Sequence, residues 1–396
     1  MAWDEGQTLA ARFESACSAA KQMHAHWRLG TSYSGFADAL VRSAPALYGA
    51  VAKRLRRMML ERGGDYFIVR GWCAFGVDGT RIETPHTATN EALLGCAGRE
   101  KTAPQVFLTT LWHLGLGLPW SYRCGPGTDS ERVHAQELID DLPPQSLLVA
   151  DAGFISYGLC KSLCDRGHSF LLRVGGNVHL LTKLGYYREE RDGIVYLWPD
   201  KEQSQSPLVL RLIVLTCGEQ TVYLVTNVLD PARLSDEDAR QFYDWRWGEE
   251  VYHRSFKQTL DRATLLSRTP ATCLAETQAI VLGLWLLGLM SMLSKPQPAC
   301  NPRRWSVARS RDAVRRAMRD RHPQGRRAKR RTTLKRVLAQ AVIDNYVRKG
   351  SKTARNYPRK KKEKPPGAPK IKPATPLEIQ RAKKFPPPNI HLKRTA

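Results

Sequence analysis

The sequence predicts an α/β protein: a mixed sheet flanked by helices, with a β-rich insertion, a helical N-terminal module and a basic C-terminal tail. Strand-type and helix-type segments alternate through the first half of the chain. Two short apolar runs each end in an Asp-Gly or Asp-Ala-Gly step. The charge is also unevenly placed along the 396 residues. A chain of this length buries one sizeable core plus satellite modules.

Residues 1–63 read as helical, Ala-rich and basic, with a break at Gly63-Gly64. From Tyr66 strand-type segments begin at 67–77, 105–112 and 120–124. A helix is expected over 130–141, then a strand at 147–150, a helix over 157–166 and a strand at 170–174. Residues 64–178 therefore form the first part of the core. Two stretches, 180–198 and 208–228, read as β, and a Cys217-Gly218 turn divides the second into two strand-type runs, so 179–230 reads as an insertion. The second part of the core covers 231–295, and its first helix is well begun. Ser235 is placed to cap, and Asp236, Glu237 and Asp238 suit the positive end of the helix dipole.

The run 280–293 is apolar but holds only fourteen residues, against the roughly twenty a membrane span needs. It reads as a buried core helix in which Gly283 and Gly288 allow close packing against the sheet, and no membrane partner is expected. Residues 296–356 are basic with helical patches, and 357–396 are dominated by Pro and Lys. Too few apolar residues remain in that tail to offset the entropy of ordering it, so disorder is expected there.

Two strand-end acids stand out. Asp78 closes the run Trp72-Cys73-Ala74-Phe75-Gly76-Val77 ahead of Gly79, and Asp151 closes Leu147-Leu148-Val149-Ala150. Each is expected at the tip of a buried strand, before a turn. A carboxylate in that position is partly desolvated and needs a cationic partner. Either acid alone also fits a turn cap.

Further along, Tyr243, Arg246, Glu250 and Lys257 recur at spacings of three, four and seven. On a regular helix they project within an arc of about 60° on one face, with Arg254 beside them. Such a set is either a solvated, salt-bridged face or a carboxylate ringed by cations at a place where phosphate must sit. The two upstream acids favour the second reading. Three carboxylates are hard oxygen donors suited to Mg²⁺ or Mn²⁺. Two such ions promote in-line displacement at phosphorus, and neighbouring Arg and Lys steady the phosphate oxygens. Cys160 and Cys164 have no matching second pair, so no zinc site is expected, and no Gly-rich phosphate loop is present.

The spacing Tyr-x2-Arg-x3-Glu-x6-Lys, with VDGTRIETPHTATNE around Asp78 and LLVADAGF around Asp151, resembles the DDE transposases of bacterial insertion sequences. Specifically, it is similar to the cut-and-paste group that carries the YREK signature, over roughly residues 30–295. The resemblance implies a ribonuclease-H-like catalytic core, and the order of three strands, helix, strand, helix and strand agrees with it. It implies that Asp78, Asp151 and Glu250 hold two Mg²⁺ or Mn²⁺ ions and are catalytic. By the same resemblance Tyr243, Arg246 and Lys257 contact phosphates at the element's ends. Arg254, beside them, is a further DNA-binding candidate, and Arg173, at a core strand, either holds a phosphate or forms a structural ion pair. Trp198, in the insertion, is either a base-stacking residue or a sheet-packing one.

The activity so implied is cleavage at insertion-element ends followed by strand transfer into target DNA, with a hairpin intermediate suggested by some relatives. The partner is double-stranded DNA, as terminal inverted repeats and as target, engaged by a homodimer. A stand-alone metal-dependent nuclease would share the three acids but release product without strand transfer. A non-catalytic DNA-binding descendant would have replaced the acids, and all three are present.

The charge agrees with a nucleic-acid partner. The chain carries 62 Lys and Arg against 37 Asp and Glu, a net +25. Residues 302–396 alone hold 31 basic and 5 acidic side chains, so the rest is close to neutral. A basic block of this kind gains DNA affinity by counterion release. Nine cysteines without framework spacing and an N-terminus without a signal peptide point to free thiols in a reducing cytoplasm, here the bacterial nucleoid.

Overall fold

The computed structural model describes residues 1–97, 103–217, 220–294, 301–319, 334–342 and 366–386. In chain order the elements are α1 (Leu9–Met23), α2 (Tyr33–Arg62), β1 (Ala74–Glu83), α3 (Ala88–Leu93), β2 (Gln105–His113), β3 (Leu118–Pro126) and α4 (Glu131–Leu138). There follow β4 (Leu147–Ala150), α5 (Tyr157–Asp165), β5 (Ser169–Val174), β6 (His179–Thr182), β7 (Ile194–Leu197), β8 (Leu208–Cys217) and β9 (Gln220–Thr226). The remainder is α6 (Asp236–Trp245), α7 (Trp247–Arg254), α8 (Pro270–Ser294), α9 (Val307–Arg319), α10 (Leu334–Ala339), β10 (Lys370–Pro373) and α11 (Pro376–Ala382). The chain divides into two compact units. One comprises Met1–Asp141 with Trp247–Asp344, the other Leu142–Arg246 with Asn345–Ala396.

In the first unit β1, β2 and β3 form an antiparallel meander. Nearly every residue of β2 is buried, as expected of a strand with both faces covered. Helix α8 is the core of this unit. It is 25 residues long, well beyond the apolar run seen in the sequence, and it buries residues on all sides. Among the described residues it is the one helix long and apolar enough to cross a membrane, yet 61% of its most apolar window lies inside the protein. Helix α2 packs along it: Tyr48 Oη donates to the Ala275 carbonyl at 3.1 Å, and Trp285 Nε1 lies 3.1 Å from Met59 Sδ.

Gly288 lets α8 lie close against the sheet. A Cβ there would collide with Leu118 of β3 and approach Trp305 to 2.9 Å. Gly283 faces Ala2 and Trp3 instead of the sheet, so only one of the two glycines serves the packing expected of both. Gly288→Ala is expected to cost about 1–3 kcal/mol by overpacking. Gly283→Ala, whose Cβ would meet Ala2 Cβ at 2.6 Å, is expected to cost less, since residues 1–4 are only half-buried. Urea melts of the two variants check this, and equal losses would contradict the assignment.

The second unit carries strands in the order β10-β6-β7-β8-β9-β5-β4. Strands β4 and β5 are parallel, joined through α5, while β9 returns antiparallel to β5. The expected insertion strands therefore continue the sheet from a core strand and do not fold as a separate layer. The turn between β8 and β9 at Gly218 lies outside the described residues. Across both units the order of strands and helices from β1 to β5 is the one expected, with the short α3 added in the first connection.

Three expectations need correction. The first strand begins at Ala74, later than residue 67, because a 3-10 turn at Gly64–Tyr66 and a Val69–Trp72 bridge occupy the preceding residues. Asp78 is not at a strand tip: β1 continues through Gly79 to Glu83, and Asp78 pairs with Thr110 in mid-strand. Gly79 serves close packing and not a turn, since a Cβ there would lie 2.7 Å from the Phe107 ring and 2.5 Å from Glu131 Oε1.

The third correction concerns the tail, which is ordered over 366–386. Strand β10 adds in parallel to β6, with Lys370 opposite His179 and Pro373 opposite Thr182. Helix α11 begins on a capping box, Thr375 accepting from Glu378 N–H while the Glu378 carboxylate reaches back to Thr375 N–H. Its Ala382 is 1% exposed in a cluster with Tyr157, Leu184 and Tyr196, and Ile379 and Phe385 pack on the same cluster.

Candidate active site

In the second unit the site is built around Asp151. The fully buried strand β4 carries it to the point where burial ends, so its side chain is 41% exposed. Ala152 N–H donates to Oδ1 at 2.8 Å. Tyr243, buried on the last turn of α6, donates from Oη to the same oxygen at 3.3 Å. Arg173, on β5, places Nη1 3.6 Å from Oδ1 and 3.5 Å from the Tyr243 hydroxyl. Arg246 places Nη2 3.6 Å from Oδ2 and its guanidinium 5.2 Å from the Tyr243 ring centroid. Ser235 caps α6 as expected, its Oγ accepting from Asp238 N–H at 3.0 Å. Burial, and next the Asp151 carboxylate, raises the Tyr243 phenol above its usual pKa, so the hydroxyl stays a donor across neutral pH.

These distances are longer than those of tight charge-assisted hydrogen bonds. The groups are held near one another without being locked together. Two guanidiniums thus face one carboxylate, and the carboxylate is the most open of the three, 41% exposed against 16% for Arg173 and 4% for Arg246.

In the first unit the site is built on β1 and α7. The Asp78 side chain is 27% exposed. Helix α7 packs its inner face by Tyr252, whose ring lies 4.9 Å from that of Trp112 on β2. Glu250, Val251 and Arg254 are on its exposed face. His253, buried, brings Nδ1 to 3.5 Å from Asp78 Oδ2. Lys257 lies half-buried on a π-helical turn, Ser255–Thr259, that follows α7. Burial lowers the pKa of its ammonium, and the Glu83 carboxylate partly opposes this.

The four-residue set is thus not carried by one regular helix. Arg246 is the turn at which α6 ends, its N–H bonded to the Tyr243 carbonyl three residues back at 3.2 Å, and the π turn changes the register again before Lys257. Such irregular turns recur at functional sites. Periodicity alone does not reveal them, because the 3.6-residue pattern runs unbroken through the sequence.

The structure brings Asp151, Tyr243, Arg246 and Arg173 into one cluster, and sets Asp78 on the strand against which the Glu250 helix packs. Trp198 is not available for stacking on a base. It is 3% exposed, donates from Nε1 to the Gln205 carbonyl at 2.7 Å, and meets Phe385 edge-on at 6.2 Å. Its ring surface is taken up by the core cluster that the C-terminal segment completes. His253 is the residue that sequence reasoning missed. Its signal was its place one turn after Glu250, next to the inward-facing Tyr252.

Asp78, Asp151 and Glu250 each offer a partly or fully exposed carboxylate, the hard oxygen donor that a divalent cation takes. Among the described residues no three His, Cys, Asp or Glu side chains converge into a metal-binding cluster. Asp78 and Glu250 belong to one unit and Asp151 to the other.

The family model for the transposase DDE domain matches residues 73–286, just over half of the chain. A curated relative, the transposase InsG for insertion sequence element IS4 of Escherichia coli (strain K12), is 27% identical over 226 residues. The match covers 52% of this chain and 50% of that protein, so the chain spans about half the length of the curated relative it matches. A cryo-EM structure of a piggyBac transposase synaptic complex with hairpin DNA aligns at 13% identity and a TM-score of 0.37, over 72% of this chain and 60% of that one.

Proposed function

The chain belongs to the transposase DDE domain family, and from that premise we propose that it cuts DNA at the ends of its own insertion element and joins the freed 3′ ends to target DNA. The observation that carries this reading is the grouping of Tyr243, Arg246 and Arg173 around Asp151, a carboxylate set among phosphate-binding groups. We place the chain in the YREK group of insertion-sequence transposases, acting as a homodimer on terminal inverted repeats.

Asp78, Asp151 and Glu250 would hold two Mg²⁺ or Mn²⁺ ions. When bound, these supply Lewis-acid stabilisation of the attacking and leaving oxygens in an in-line displacement. The chain's own groups do the positioning. Arg246 and Arg173 offer planar guanidinium forks to the phosphate oxygens, Tyr243 offers a neutral hydroxyl, and Lys257 and Arg254 add charge along the helix that bears Glu250. The hydrolytic step frees a 3′-hydroxyl, which is the nucleophile of the second step.

The test is incubation of the full chain with Mg²⁺ and labelled DNA carrying the inverted repeats that flank its gene. Cleaved ends joined to a target plasmid are expected. Cleaved ends that never join would favour a stand-alone nuclease, and binding without cleavage would favour a non-catalytic descendant. Arg246→Ala and Arg173→Ala are each expected to weaken binding of cleaved ends by about 10- to 150-fold, from the ~1.5–3 kcal/mol of a hydrogen bond to a charged group. Joining at the parent rate by both variants across a range of salt would remove them from the site.

A further inference from the structure

We infer that His253 is a positioning residue of this active site: its Nδ1, 3.5 Å from Asp78 Oδ2, sets the Asp78 carboxylate from the helix that carries Glu250. The inference rests on the proposed metal-dependent reading of the site and assigns it a residue that the signature spacing does not include.

His253 is one turn after Glu250 on α7, so fixing one side chain against β1 fixes where the other begins. The anchor is firm. The His253 side chain is 8% exposed, and its neighbour Tyr252 is 2% exposed against Trp112. One turn further on, Phe256 is fully buried. The second ring nitrogen of His253, Nε2, is buried with no hydrogen-bond partner among the described residues. An unpartnered buried ring nitrogen costs free energy that an apolar ring at this place would not. Asp78 is the carboxylate at the other nitrogen. Its strand changes from buried to half-exposed at this residue, so the backbone alone leaves the carboxylate several rotamers. A neighbour that orients a ligating carboxylate typically sets metal affinity by tenfold or more.

The experiment uses the full-length chain and two readouts: Tb³⁺ binding by sensitised luminescence, and the Mg²⁺ concentration that half-saturates end cleavage. His253→Phe keeps the ring volume and removes both nitrogens. It is expected to weaken Tb³⁺ binding and raise the half-saturating Mg²⁺ by about 10- to 100-fold, with the melting temperature and metal-free DNA binding unchanged. His253→Asn, whose amide nitrogen falls near the Nδ1 position, is expected to stay within about threefold of the parent. If the Phe ring does not pack and the variant melts early, His253→Ala carries the same expectation, because the nitrogen and not the ring is at issue. Parent-level Tb³⁺ affinity in the Phe or Ala variant, or an Asn variant as impaired as either, overturns the role. Asp78→Ala separates the two levels. If it too binds Tb³⁺ like the parent, the metal assignment fails and takes the purpose of His253 with it. If it loses Tb³⁺ while His253→Phe does not, only the inference about His253 fails.

Discussion

Alanine at Asp78, Asp151 or Glu250 is expected to lower Mg²⁺-dependent end cleavage by on the order of a thousandfold or more, since a metal's stabilisation of the transition state amounts to several kcal/mol. The fold is expected to survive each change. Asp151 is 41% exposed but its partners Arg173 and Arg246 are 16% and 4% exposed, so removing the carboxylate is expected to cost on the order of 1–3 kcal/mol, within the stability of a folded domain. Glu250 lies on the exposed face of α7. DNA binding should move the opposite way from cleavage in one case. Asp151→Ala leaves Arg173, Arg246 and Tyr243 without the carboxylate that partly neutralises them, so cleaved ends should bind as tightly as before or more tightly at low salt. Gel shifts and cleavage assays on the same preparations check both arms. A variant that still cuts at the parent rate takes its residue out of the site.

What was legible in the sequence was local. The spacing of Tyr243, Arg246, Glu250 and Lys257 is a matter of counting, and the run ahead of Asp151 marks a buried strand by its composition. What was not legible depended on contacts distant in sequence. Asp78-Gly79 has the composition of a turn, yet the strand passes straight through it, because the glycine makes room for Phe107 and Glu131. The end of α6 at Arg246 and the π turn at Lys257 leave no trace in the hydrophobic period. His253 becomes visible only once β1 is known to lie against α7. Trp198 shows the converse: an aromatic residue in a β-rich insertion invites a role at the surface, and its burial follows from a segment nearly two hundred residues later.

That segment supplies the second large effect. Ending the chain at residue 365 is expected to lower the melting temperature by roughly 4 °C. Phe385 and Ile379 pack on the Trp198 cluster, and at about 1–2 kcal/mol for each partly covered apolar side chain their loss amounts to about 3 kcal/mol. The change also removes the ladder between β10 and β6, leaving the peptide groups of 179–182 as an open sheet edge. Composition argued for disorder here because Pro and Lys dominate. Yet Thr375-Pro376-Leu377-Glu378 is a capping box with Pro in the first turn, a helix-start signal that composition averages away. Strand β10 in turn presents Lys370, Lys372 and Pro373 as the new edge, residues that discourage further strand addition. The same truncation removes seven basic side chains and one acidic one, so the slope of log DNA affinity against log salt should flatten if the segment touches DNA. Phe385→Ala separates packing from charge. It keeps every cation, and is expected to lose about 1–2 kcal/mol and shift Trp198 emission to the red with no change in salt slope. A truncated chain that melts with the parent and keeps Trp198 emission unshifted would show that the segment does not dock on the sheet. A flattened slope in that same chain would then return it to the role of a DNA-binding tail.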